Sequence, residues 1–169
     1  MEQAPDYLNR VAGVRIWRVA PNLWAQLGGL LWAPNIKEPW PTGEEYVATC
    51  HAAPDHAPPA EGCSCGIYAF YTPDVAQQGG YWPQEGARYW DRLVAGVVGA
   101  AGDVVLHERG LLAARTKVEA IFTEGAPDAE LPIPRAELSA AYNAEVIDAA
   151  DYEAFCAERS FIVFSAENL

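Results

Sequence analysis

Hydrophobic and polar positions alternate along most of the first two-thirds of the chain. In "GVRIWRV" (13–19), Val14, Ile16 and Arg18 alternate with Arg15, Trp17 and Val19, the period of a strand. "LWAQLGGLLW" (23–32) predicts a second strand, with Pro21–Asn22 as the turn between the two. "APNIKEPWPTG" (33–43) carries three prolines and a glycine and reads as loop. "EEYVATC" (44–50) and "GIYAFY" (66–71) read as strands on either side of a segment, 51–62, whose prolines forbid a regular ladder. In "TPDVAQQ" (72–78), Thr72 suits an N-cap and Pro73 the first helical position. "GGYWPQEGARYW" (79–90) is a loop rich in glycine and aromatic residues; the aromatic set at 81–90 reads as a lid over the sheet, with a partner-binding patch as the alternative.

"RLVAGVVGAAGDVVLHE" (92–108) is strand-like, but Gly96, Gly99 and Gly102 interrupt it, which predicts bulges or a bend. "RG" (109–110) supplies a turn, and 111–122 returns with Thr116, Val118, Ala120 and Phe122 alternating against Arg115, Lys117 and Glu119. Residues 103–122 therefore predict a hairpin; a helix over 111–122 is the competing reading, since Leu, Ala and Lys also favour helix. Beyond a linker (123–134), helices are expected over 134–147 and 151–159. The first has Leu138, Ala141, Tyr142 and Glu145 on one side. The second has Tyr152, Phe155 and Cys156 on one face. "FIVFS" (161–165) predicts a last strand. The expected fold class is α+β: a bent antiparallel sheet or small β-barrel with helices toward the C-terminus. Residues 1–12 form an arm, 13–122 the β-rich domain, and 123–169 a linker and helical segment packed on that domain.

Six Trp and eight Tyr among 169 residues are enough for a core without staples. The charge of −12 argues against broad binding to nucleic acid or an anionic membrane. The N-terminus lacks the pattern of a targeting signal, and no apolar run is long enough to span a bilayer, so a cytoplasmic location is expected. In a reducing compartment, clustered cysteines favour metal binding or reactivity over disulfides.

That matters because three of the four cysteines and two of the three histidines crowd into "CHAAPDHAPPAEGCSC" (50–65). Cys50, His56, Cys63 and Cys65 supply the thiolate and imidazole donors that a structural zinc takes in a tetrahedron. Cys50 would end one strand, Cys63 and Cys65 would stand just before the next, and the Pro-rich loop would carry His56 back to them. Gly66 fits the sharp turn beside Cys65, because glycine tolerates positive φ. His51 is the alternate to His56, disfavoured by its adjacency to Cys50. Other readings stay open: unliganded reduced thiols, a redox pair at Cys63–Cys65, or an iron–sulfur centre that also serves as a sensor. A metal-dependent or thiol enzyme using an open site at His56, Glu61, Cys63 and Cys65 is a further alternative, with Glu61 as general base in the metal version, but the spacing departs from the zinc-deaminase pattern at each diagnostic point. His107 is a spare ligand only if its hairpin folds over the loop, and Cys156 reads as core.

The segment "HAPPAEGCSCGIYA" resembles the hallmark of a family of small, uncharacterised actinobacterial and actinophage proteins, His-x-x-Pro-x-x-x-Cys-x-Cys-Gly-Ile-(Tyr/His)-Ala. His56, Pro59, Cys63, Cys65, Gly66, Ile67, Tyr68 and Ala69 match it. Trp40, Pro41, Gly43 and Cys50 are similar to its upstream element, and Gly102, Val104, His107, Glu108, Gly110 and Ala113 to its downstream one. The chain departs at Ala101 and Leu112, where relatives often carry an aromatic residue and an arginine. The resemblance spans roughly 13–122. It implies the ligand set and the domain limits and carries no reaction. The expected function is that of a zinc-stabilised, non-enzymatic domain that binds another protein.

Overall fold

The structure, a computed structural model, describes residues 10–20, 29–34, 38–80, 82–84 and 92–165. The predicted arm up to residue 9, the turn at Pro21–Asn22, most of the strand placed at 23–32 and much of the loop at 79–90 lie outside the described residues.

Eight strands among the described residues build one sheet: β1 (Val11–Val19), β2 (Leu31–Trp32), β3 (Pro39–Trp40), β4 (Tyr46–Val47), β5 (Ile67–Phe70), β6 (Leu93–Leu106), β7 (Gly110–Phe122) and β8 (Glu145–Ile147). Helices α1 (Pro73–Gln78), α2 (Arg135–Tyr142) and α3 (Tyr152–Glu158) lie mostly toward the C-terminus, which makes the fold α+β. β6 and β7 form the expected hairpin, so strand alternation prevails over helix propensity at 111–122. β6 also pairs β1, β5 bridges β1 to β7, and the four strands close a hydrogen-bonded ring. Two register shifts bend the hairpin, between Val97 and Val98 and between Ala101 and Val104. Gly102, at φ +73°, sits at the second, as interior glycines foretold.

β1 alternates between two apolar clusters. Trp17 and Val19 face one with Trp40, Ile67, Leu111 and Ile121, which Leu138 and Tyr142 of α2 complete. Ala12, Val14 and Ile16 face the other, covered by Ala76 of α1 and by Tyr152, Phe155 and Cys156 of α3. Tyr142 ties the first cluster to the sheet: its hydroxyl accepts from Leu30 and Leu31 N and donates to Trp40 O, all within 3.1 Å.

Several elements differ from expectation. Within the predicted loop 33–43, Pro39–Trp40 pairs with β2. This is tolerated because β3 is an edge among the described strands, where a missing N–H breaks no ladder. The predicted helix over 134–147 stops at Tyr142, because Asn143 turns left-handed (φ 51°). Glu145 therefore leaves the helix and enters β8, which runs parallel to β7 and makes the sheet mixed. The predicted last strand reduces to a bridge between Ile162 and Val11. α1 starts as read, with Thr72 Oγ1 accepting from Val75 N. No helix among the described residues is long and apolar enough to cross a membrane.

Candidate metal centre

One edge of β7 carries three separate pieces of chain. β5 pairs with 110–113, β4 with 115–116 and β8 with 120–122. Between the first two, Ala48 N donates to Ala114 O (2.8 Å), and Ile67 stands opposite Ala113. Ala48 and Ile67 are thus neighbours on that edge. Residues 49–66 are an excursion from an otherwise continuous strand, an Ω-like loop whose ends nearly meet.

The loop is shaped by local turns. Ala53 N points at Cys50 Sγ (3.4 Å), and His56 N bonds Ala53 O (3.5 Å). Cys63 N bonds Ala60 O (3.1 Å), with Gly62 left-handed at φ +75°. Gly66 sits at φ +123°, between Pro59 and Leu112: a Cβ there would lie 3.4 Å from Pro59 Cβ and 3.3 Å from Leu112 Cβ. The positive φ expected at Gly66 is present, and it lets Cys65 turn inward immediately before β5.

These turns bring Cys50, His56, Cys63 and Cys65 together, with one donor atom from each lying within 4.8 Å of the others. Cys50 is buried, and the other three are half-buried. All four cysteines are unbridged. Cys50 Sγ is 3.7 Å from Cys63 Sγ, and His56 Nε2 is 3.2 Å from Cys65 Sγ. In a tetrahedron with Zn–S bonds of about 2.3 Å and Zn–N of about 2.0 Å, the S···S edge is about 3.8 Å and the N···S edge about 3.5 Å. The two close pairs fit such edges, and the cluster can hold a metal ion. The Ala53 N–H draws the Cys50 thiol below its ordinary pKa, whereas desolvation raises that of Cys65. An amide aimed at a thiolate is what a ligating cysteine uses to hold its charge.

The other sequence candidates fall elsewhere. His51 is exposed, its Nε2 3.9 Å from Glu38 Oε2 and outside the four-donor group. Glu61 is exposed and absent from the lining of the adjoining cleft. His107 stays at the hairpin turn, where its carbonyl accepts the Tyr71 hydroxyl, and Cys156 is core.

Sequence reading missed the cleft itself. About 210 Å³ in volume, it is lined by Cys50, Cys63 and Cys65 together with Glu38, Tyr46 and His51, among others. Tyr46 stacks on Trp40 (4.8 Å between ring centres), and burial, with the Glu38 carboxylate beside it, pushes its pKa up. Arg15 lies over the Trp40 ring, 5.3 Å from its centre. Desolvation lowers its pKa to about 10, still charged at neutral pH. Glu38, Tyr46 and Arg15 come from separate segments of the chain, so no spacing marked them. Comparison with protein-family models, with curated proteins and with solved structures returned no match.

Proposed function

We propose that the chain is a zinc-stabilised domain without a reaction of its own, which acts by binding another protein. One observation carries the zinc reading: four soft protein donors meet at the neck of a loop that has little else to hold it. Three thiolates and an imidazole fill a tetrahedral zinc shell and leave no position for a reacting water, the pattern of a structural rather than a catalytic site. The metal's role is then to pin residues 49–66 against β7 and so present a fixed surface. The resemblance of residues 56–69 to the actinobacterial and actinophage hallmark implies the same ligand set.

Elemental analysis of protein purified without chelators tests the reading. One zinc per chain is expected. Cobalt substitution should give the intense visible bands of a tetrahedral thiolate site, and Cys63→Ser should lose both. Protein that carries no metal and takes up no cobalt sinks the proposal, and an iron-coloured preparation replaces zinc with an iron centre. The cleft beside the three sulfurs favours one second reading, a reaction at the metal. It predicts an activity that Glu38→Gln abolishes while zinc content is kept.

A further inference from the structure

The three sulfurs of the cluster are not equivalent. Cys50 and Cys63 approach each other at 3.7 Å, whereas Cys65 stands against the His56 ring at 3.2 Å. All three line the cleft of about 210 Å³, which is roomy for an oxidant of two heavy atoms. We propose that Cys50 and Cys63 are a peroxide-reactive pair whose oxidation to a disulfide expels the metal. The proposal rests on the zinc reading above and adds to it a modification site and the class of its co-substrate, a hydroperoxide.

Geometry favours this pair: the Cys65 sulfur also lies within 4.8 Å of Cys50, but it stands against the His56 ring at 3.2 Å. Closing 3.7 Å to the S–S length of about 2.0 Å takes side-chain rotation, because the two residues already face each other across the neck of the loop. A Cys63–Cys65 bond would close a small strained ring through one intervening residue. Cys156 is fully buried in the cluster under α3, away from the cleft.

The chemistry balances with peroxide alone. The Cys63 thiolate, half-buried where Cys50 is buried, attacks one peroxide oxygen. An S–O bond forms, the O–O bond breaks, and the departing hydroxide takes a proton to become water. The Cys50 thiolate then attacks that sulfur. The S–S bond forms, the S–O bond breaks, and a second hydroxide leaves as water. Two thiols are oxidised, and both peroxide oxygens are reduced. The disulfide has no anionic sulfur, so the zinc keeps only His56 and Cys65 and departs. The new bond ties the same neck that the metal tied, so β4 and β5 remain on β7 while His56 and Cys65 are freed.

Zinc-loaded protein should be treated with hydrogen peroxide, with released metal followed by a chromogenic chelator and linkages mapped by peptide mass spectrometry. Expected are complete loss of zinc in step with a Cys50–Cys63 link, Cys65 and Cys156 still alkylatable, and recovery with dithiothreitol plus zinc. Cys65→Ser should still form the link, and Cys50→Ser should form none. A link from Cys65 to either Cys50 or Cys63, or zinc retained with all thiols reduced in excess peroxide, overturns the inference and leaves the zinc reading intact. Protein that never holds metal overturns the zinc reading and the expulsion with it. The mapped link then decides the pair alone: Cys50–Cys63 upholds it, and any other bond removes it.

Discussion

Gly66 occupies one of the most constrained backbone positions near the metal centre. Its φ of +123° is a conformation that side chains rarely adopt, and an added Cβ would press on both Pro59 and Leu112. Gly66→Ala should therefore destabilise the fold by about 2–4 kcal/mol, strain and overpacking acting together. Gly62 is left-handed too, at φ +75°, but a Cβ there meets nothing within 4 Å. Gly62→Ala should cost only the backbone term, about 1–2 kcal/mol. Urea unfolding of the two variants checks the order, and equal costs would mean that Gly66 is not pinned between Pro59 and Leu112. Cys156 gives a residue-level prediction of a different kind. Burial pushes its pKa up to about 11 from an ordinary value of 9. Unfolded, the thiol ionises near its ordinary value while the folded thiol stays neutral. Its contribution to stability is thus full below about pH 9 and is lost as pH rises toward 11. Urea midpoints measured between pH 8 and pH 10 should fall with pH in the wild type, and less steeply in Cys156→Ala.

At the scale of elements, the stretch taken as a linker is organised by one side chain. Arg135, 5% exposed at the start of α2, donates to the carbonyls of Phe122 (2.8 Å), Glu124 (2.7 Å) and Ala126 (2.9 Å) and pairs with Asp128 at 2.6 Å. Arg135→Met would strand those carbonyls and should cost about 3–5 kcal/mol, by the logic of a broken buried network. Thermal unfolding checks this, and a loss under about 1 kcal/mol, the range of a surface pair, would refute it. Nothing in the sequence pattern announced this role, because an arginine at a helix start normally faces water. Other elements were legible for clear reasons. The hairpin of β6 and β7 follows from two long alternating runs joined at Arg109–Gly110, and the start of α1 from Thr72–Pro73. The end of α2 had a local signal in Asn143, a residue suited to a left-handed cap, but the helical spacing of Leu138, Ala141, Tyr142 and Glu145 carried the reading past it. Short strands such as β3 and β4 exist only because β2 and β7 stand beside them. That is tertiary information, absent from any window of sequence. The four clustered donors were legible because soft donors are rare in this chain. Their cleft was not, since Glu38, Tyr46 and Cys63 meet only once the ring has closed.

For the whole molecule, the question is how far the fold would depend on a metal held at the Cys/His cluster. The ring of β1, β6, β7 and β5 buries two apolar clusters and is paired along most of its length without the loop. Within 51–62, Pro58 is the sole buried residue, so that stretch adds little apolar burial to offset its own ordering entropy. Metal binding should therefore act locally, on an opening of residues 49–66 that is far less costly than global unfolding. Chelation should leave the far-ultraviolet circular dichroism and the burial of Trp17 and Trp40 nearly unchanged. Amides at Ala53 and Cys63 should exchange quickly, and a protease should cut within 51–62. The thermal midpoint should fall only by the linkage term set by zinc concentration over its dissociation constant. Acidification should reproduce the effect, because protons compete with zinc for three thiolates and an imidazole. The opposite outcome, a chelated protein that loses its strand signal cooperatively, would mean that β4 and β5 cannot hold to β7 unless the neck between them is tied. The ring closes through β5, so the clasp would then be a condition of the fold rather than of one loop.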